Sequence, residues 1–272
     1  MKEFKLRDDE EQSLRQLQQE IEVLQQNRAG LSKLLGANIN ERWMVTEYLS
    51  NGTLEDHLSE YRGSPALALK AFRSVVNTIA ELHKEGIVHR DIKPASIFIG
   101  KDHELILGDF GLVFVPNRPP RITAYQGETV GAGDFIPPPT WRGMGVRPDN
   151  VNTNFDVYML GKDLWCMVTG KPKLGREYWD EPVNDVTKLF PSDPHMYMIN
   201  VILEHSVVER QEKCFSSADD LLLVVNTNLE SIREGGQLLN DGIPKICHVC
   251  GAGRYARQTL TKDAPTCSES VT

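Results

Sequence analysis

The sequence predicts an α+β fold with a small mixed lobe followed by a larger helical lobe. Three observations lead there. A helix-spaced apolar stripe over residues 8–27 is followed by a buried strand, Trp43 to Tyr48. Two long apolar-periodic helices, Ala66 to Glu85 and Asn154 to Thr169, come later. Between them sits one hairpin, Ile97-Phe98-Ile99 and Glu104 to Leu107, turning through Lys101-Asp102-His103. The small lobe is placed at residues 1–49, the helical lobe at 50–232 and a tail at 233–272.

Each element has a local reason. Leu14, Leu17, Ile21 and Leu24 recur at spacings of three and four, with Gln, Glu and Arg on the other faces of the first helix. Leu31 to Leu35 is largely apolar, and Gly36 to Glu41 reads as a mostly polar turn before the strand WMVTEY. Ser50-Asn51-Gly52 is a turn, and Thr53 caps the next helix, with Asp56 in its first turn. Leu69, Phe72, Val75, Val76, Ile79, Ala80 and Leu82-His83 mark the buried face of the following helix, which Gly86 stops. Residues 115–150 hold many prolines and glycines and show no periodicity, so a long functional loop is expected. Phe155, Tyr158, Leu160, Leu164, Trp165 and Val168 form the core positions of the next helix, which Gly170 ends. Residues 173–195 read as irregular. Met196 to Val207 and Ser217 to Ile232 read as two further helices.

Composition excludes several function classes. A formal charge of −8 argues against a dedicated nucleic-acid binder. No apolar run approaches the ~20 residues needed to span a bilayer. The charged N-terminus MKEFKLRDDEEQ is no signal peptide, so a cytoplasmic protein is expected. Five cysteines at irregular spacing make a poor disulfide framework.

The chemistry concentrates in Val88 to Gly111, VHRDIKPASIFIGKDHELILGDFG. The hairpin brings its ends together, so Asp91 and Asp109 should flank one cleft. Read alone, Asp91 could cap the turn before Pro94, Asp109 could make an Asx turn, and Asp156 could be a first-turn acid favoured by the helix dipole. Together, His-Arg-Asp-Ile-Lys-Pro and Asp-Phe-Gly resemble the catalytic loop and metal loop of a eukaryotic-type serine/threonine protein kinase. The surrounding stretches fall in the family's order: EIEVL with Glu20, VTEYLSNGTL with Thr46, and DVYMLGKDLW with Asp156. The resemblance implies a two-lobed kinase-like fold over residues 1–232 that takes ATP, Mg2+ and a protein substrate. It implies that Asp91 receives the substrate hydroxyl's proton, Lys93 steadies the transferred phosphate, and Asp109 and Ser96 bind Mg2+. Lys2 and Glu20 would form the ion pair of the nucleotide site, with Thr46 as gatekeeper. Glu47 and Leu49 would offer backbone groups to the adenine edge, and Phe98 would cover its face. His89, Phe110, Leu24 and Leu34 would pack as an internal spine. Arg90 would be available to a phosphorylated loop.

Departures from the family pattern temper that implication. Only Met1 precedes Lys2, so the glycine-rich loop is missing and a truncated small lobe is expected. Lys2 reads equally well as a solvated N-terminal charge. Ser96 stands where the family has asparagine, and a hydroxyl is a different oxygen donor from an amide. In VGAGDFIPPPTW, Ala132 and Pro139 replace a threonine and a glutamate. Cys214 falls where that glutamate's arginine partner is expected. In the tail, Cys247-His248-Val249-Cys250-Gly251 is half of a zinc ribbon, or else a reduced dithiol. The expected function is serine/threonine phosphotransfer with weak activity. The alternative is a pseudokinase that binds nucleotide or protein.

Overall fold

The computed structural model describes residues 2–3, 10–116, 133–138, 141 and 152–233. The small lobe holds strand β1 (Lys2–Glu3), helix α1 (Glu10–Leu24), and strands β2 (Leu34–Asn38) and β3 (Trp43–Thr46). The three strands form one antiparallel sheet in the order β1-β3-β2. Helix α1 packs on β2 and β3. Leu17, Ile21 and Leu24 are buried, as their spacing requires, and Glu20 lies buried with them.

The turn expected at Gly36–Glu41 is shorter than the sequence suggests. Strand β2 continues through Gly36, Ala37 and Asn38, which face Val45, Met44 and Trp43 of β3. Gly and Asn are poor strand formers, but the main-chain ladder offered by β3 outweighs their preference. A register shift between Leu34 and Gly36 accommodates them.

The lobes are joined through main chain. Leu107 donates its N–H to the carbonyl of Gly30 (2.8 Å), and Ser32 donates to that of Leu107 (3.0 Å). Gly30 has φ +82°, and a Cβ there would fall 2.1 Å from the hydroxyl oxygen of Thr78, so the crossing needs glycine.

The large lobe begins with α2 (Leu54–Tyr61) and α3 (Pro65–Lys84). The helix starts at Thr53 as expected, but the contact runs the other way: the Asp56 carboxylate accepts from both the N–H and the hydroxyl of Thr53 at 2.9 Å. Gly86, at φ +73°, ends α3. Strands β4 (Ile97–Ile99) and β5 (Leu105–Leu107) form the hairpin. Helix α4 (Asn154–Thr169) is buried almost throughout and stops at Gly170, φ +69°. Helices α5 (Val186–Leu189), α6 (Met196–Glu204) and α7 (Ala218–Arg233) complete the lobe, with α7 lying along α3.

Residues 173–195 are not wholly irregular, because they contain a 3-10 turn at Tyr178–Asp180 and the single-turn α5. A one-turn helix carries no apolar periodicity. Helix α5 is instead set by Asp185, whose Oδ1 accepts from the N–H (3.0 Å) and hydroxyl (2.7 Å) of Thr187 and from Asn200 (2.8 Å).

Asp163 stands out in α4. It is 0% exposed, and among the described residues neither carboxylate oxygen has a hydrogen-bond partner. Burial pushes its carboxyl well above the usual carboxylate range, against the nearby charge of Lys93. An unpartnered buried polar group costs about 1–3 kcal/mol. Asp163→Leu should therefore raise Tm by roughly 3–10 °C in a thermal melt. With the folded-state pKa raised, ionisation of the unfolded chain draws stability away as pH rises through the ordinary aspartate range. The gain should be larger at pH 8 than at pH 5.

Candidate active site

The loop after α3 is shaped by one carboxylate. Asp156, fully buried in the first turn of α4, accepts the N–H of His89 at Oδ2 and that of Arg90 at Oδ1, both at 2.8 Å. His83, on the buried face of α3, places Nε2 at 3.0 Å from Oδ2. Burial alone would raise the Asp156 pKa, but the hydrogen bonds from His83 and the Arg90 backbone and the nearby imidazoles bring it below the ordinary value. Arg90 has φ +66°, a left-handed conformation costly for a long side chain, and Asp156 holds it there. The Arg90 guanidinium donates from Nε to the carbonyl of Leu112 (2.7 Å) and lies 6.0 Å from the centre of the Phe114 ring.

Beyond that bend the chain presents Asp91 and Lys93. The Lys93 ammonium donates to Asp91 Oδ2 at 2.8 Å. Ser96 lies beneath them at 1% exposure. Its Oγ accepts from Lys93 N–H (3.0 Å) and sits 3.0 Å and 2.9 Å from the carbonyls of Asp91 and Lys93. A side chain too short to leave its own loop thus braces the loop's backbone.

The hairpin carries the chain from Ser96 to Asp109. Gly108 N–H donates to the carbonyl of Ser96 (3.0 Å), tying the two ends together as the sequence predicted. A Cβ on Gly108 would fall 2.7 Å from the Phe98 ring, so glycine permits that approach. Asp109 has φ +58°, a region aspartate tolerates better than most residues. The bend leaves Asp109 exposed and drives Phe110 fully into the core. The rings of Phe110 and His89 meet edge to face at 4.6 Å; Phe110 shares the apolar core with Leu24, and Leu34 packs against that core. Burial lowers the His89 pKa, so its ring is neutral near pH 7, and Nε2 lies 3.0 Å from the carbonyl of Gly108.

The nucleotide-side candidates are spread along the small lobe and its exit. Thr46 ends β3 opposite Leu34. Glu47 N–H donates to the Lys33 carbonyl (2.9 Å), while its carboxylate accepts the Lys33 N–H (3.0 Å). Leu49 is half-buried, and Phe98 is half-buried opposite Ile106. Lys2 is described by its backbone alone, paired with Met44 in β1. Cys247 and Cys250 lie outside the described residues, as do Ala132 and Pro139. Among the described residues no group of three His, Cys, Asp or Glu side chains could hold a metal ion. The donor set does fit Mg2+, which proteins commonly hold by one or two carboxylates together with substrate phosphates. Asp109 would be the carboxylate available to it, whereas the Ser96 hydroxyl is engaged with the loop backbone.

Sequence reasoning placed His83 only on a buried helix face. Its signal was a histidine among apolar residues, which is equally a mark of plain burial. Lys162 was missed, although a lysine inside an otherwise apolar helix was visible in DVYMLGKDLW.

Removing the Asp156 carboxylate would leave the N–H groups of His89 and Arg90 buried without their acceptor. Asp156→Ala should cost about 3–5 kcal/mol. That is roughly 6–20 °C in Tm for a domain of this size, measurable by calorimetry.

A family model described as the protein kinase domain matches residues 1–230. U-box domain-containing protein 35 of Arabidopsis thaliana is 33% identical over 190 residues, covering 65% of this chain and 22% of that protein. Receptor-like kinase TMK4 of Arabidopsis thaliana is 35% identical over 185 residues, covering 63% and 19%. Serine/threonine-protein kinase PknL of Mycobacterium tuberculosis is 34% identical over 129 residues, covering 47% and 31%. The chain spans about a fifth to a third of the length of these relatives. With a match that runs from the small lobe to the last described helix, this chain belongs to the protein kinase family.

Proposed function

We propose that residues 1–232 act as a serine/threonine protein kinase domain, passing the γ-phosphoryl group of ATP to a hydroxyl of a protein substrate. The observation that carries this reading is the Lys93 ammonium 2.8 Å from the Asp91 carboxylate, on a loop whose hairpin also presents Asp109. Phosphoryl transfer needs positioning and charge neutralisation more than covalent chemistry.

The substrate hydroxyl gives its proton to Asp91 as its oxygen bonds to the γ-phosphorus, and the bond from that phosphorus to the bridging oxygen of ADP breaks. Lys93 holds the carboxylate in place and meets the charge on the moving phosphoryl group. Asp109 would hold Mg2+, which neutralises phosphate charge when bound. Glu20 and Lys2 are assigned to the nucleotide phosphates. Thr46, Glu47, Leu49 and Phe98 are assigned to the adenine. No helix among the described residues is long and apolar enough to cross a membrane.

One observation favours a second reading, a pseudokinase that binds nucleotide or protein. The Ser96 oxygen already serves Lys93 and Asp91, so it strengthens the loop more than it serves a metal. Slow transfer is expected for that reason.

Radiolabelled ATP with a generic protein substrate tests the assignment, with Mg-ATP thermal shift measured beside it. Asp91→Asn should lower kcat by roughly 10²–10⁴ while leaving the nucleotide-induced Tm shift in place. Equal transfer by wild type and variant would remove Asp91 from the mechanism. A nucleotide-induced shift without any transfer would select the pseudokinase reading.

A further inference from the structure

A cavity of about 340 Å3 opens beside the catalytic loop. Lys93 and Pro94 form the end nearest Asp91. Residues 133–135 line one wall, and Pro172 and Lys173 line the other. The wall segments come from distant parts of the chain, and one buried side chain reaches both. Lys162, in the middle of α4 and 1% exposed, donates from Nζ to the carbonyl of Asp134 and to that of Leu174 (3.2 Å).

We propose that Lys162 is a positioning residue for the protein substrate, a buried cation that fixes the separation of the two groove walls. The inference rests on the phosphotransfer reading of the cavity.

Several observations support it. The ammonium lies 5.1 Å from the centre of the Tyr158 ring, and the Tyr158 hydroxyl is held by Glu177 at 2.5 Å, so the lysine has a fixed seat. Burial draws the Lys162 pKa down to about 8, against the charges of Glu177 and Asp134, so the ammonium is kept at a real desolvation cost. An apolar residue would fill the seat more cheaply, and the return on the charge is two directed bonds, one to each wall. The outer contact between the walls, Lys173 to Asp134 at 3.0 Å, is exposed on both sides and is worth little. Cys214 brings no charge to the segment, because its half-buried thiol lies against the carbonyls of Asn154 and Ser206. The far end of the segment is pinned separately by Trp141, whose Nε1 donates to the Glu209 carbonyl (3.0 Å) while its ring meets Tyr158 edge to face at 5.4 Å.

The test compares wild type with Lys162→Met, which keeps length and apolar bulk but removes both bonds. Amide hydrogen exchange is read in residues 133–136 and 173–175, the wall positions that carry an N–H, and normalised to α3. The variant should exchange about tenfold faster in both walls relative to α3. An unchanged ratio overturns the proposal, whether or not the whole protein loosens. In phosphotransfer assays the peptide KM should rise roughly tenfold while the ATP KM stays put. A rise shared equally by both KM values, or by neither, also overturns it. A wild-type chain with no transfer removes the phosphotransfer reading instead, and the exchange ratio still decides whether Lys162 holds the walls together.

Discussion

The candidate site depends on a buried carboxylate that never touches a substrate. Asp156 receives the N–H groups of two successive loop residues and faces His83 across the core. Without that acceptor the left-handed bend at Arg90 loses the two main-chain hydrogen bonds that hold it on the side of the core, those from the N–H groups of His89 and Arg90. The carboxylate is itself placed by the first turn of a helix buried on nearly every side, so the geometry of the loop is inherited from the core.

Around that anchor the chain uses short polar contacts to hold backbone and leaves few groups for ligands. Ser96 shows the trade most clearly. Its hydroxyl rigidifies the segment that carries Asp91 and Lys93, and in doing so becomes a poor metal donor. Lys162 and Asp163 extend the pattern within one helix. Both are penalised by burial, but the first gains two carbonyl acceptors and the second none among the described residues.

Much of the fold was legible because its signals were local. Helices α3 and α4 announced themselves by apolar period and by the glycines that stop them, and the hairpin by its polar turn. The helix start at Thr53 was readable from four consecutive residues, although the contact runs from Thr53 to the Asp56 carboxylate rather than from the helix to the Thr53 side chain. Strand β2 was not, because Gly36 and Asn38 are strand residues only by virtue of the facing main chain of β3. Helix α5 escaped because a single turn has no period. In the site, Asp91, Lys93 and Asp109 were visible through their motifs. The bracing roles of His83, Lys162 and Trp141 were not, since each depends on a partner far along the chain. A lysine in a helix ordinarily reads as a solvated face, and only the burial of α4 on all sides reverses that reading.

The distance in sequence between Asp156 and its partners has a consequence for synthesis. His83 lies 73 residues before Asp156, and Arg90 lies 66 before it. The β4–β5 hairpin is local and closes within microseconds. At about 5–20 residues per second, the ribosome needs roughly 3–13 s to deliver Asp156 after Arg90 has been made. For the later part of that interval, once Leu107 has been made, the nascent chain can pair β4 with β5 while the bend at Arg90 still lacks the Asp156 acceptor. The loop that carries Asp91 is therefore translated well before the carboxylate that fixes its bend.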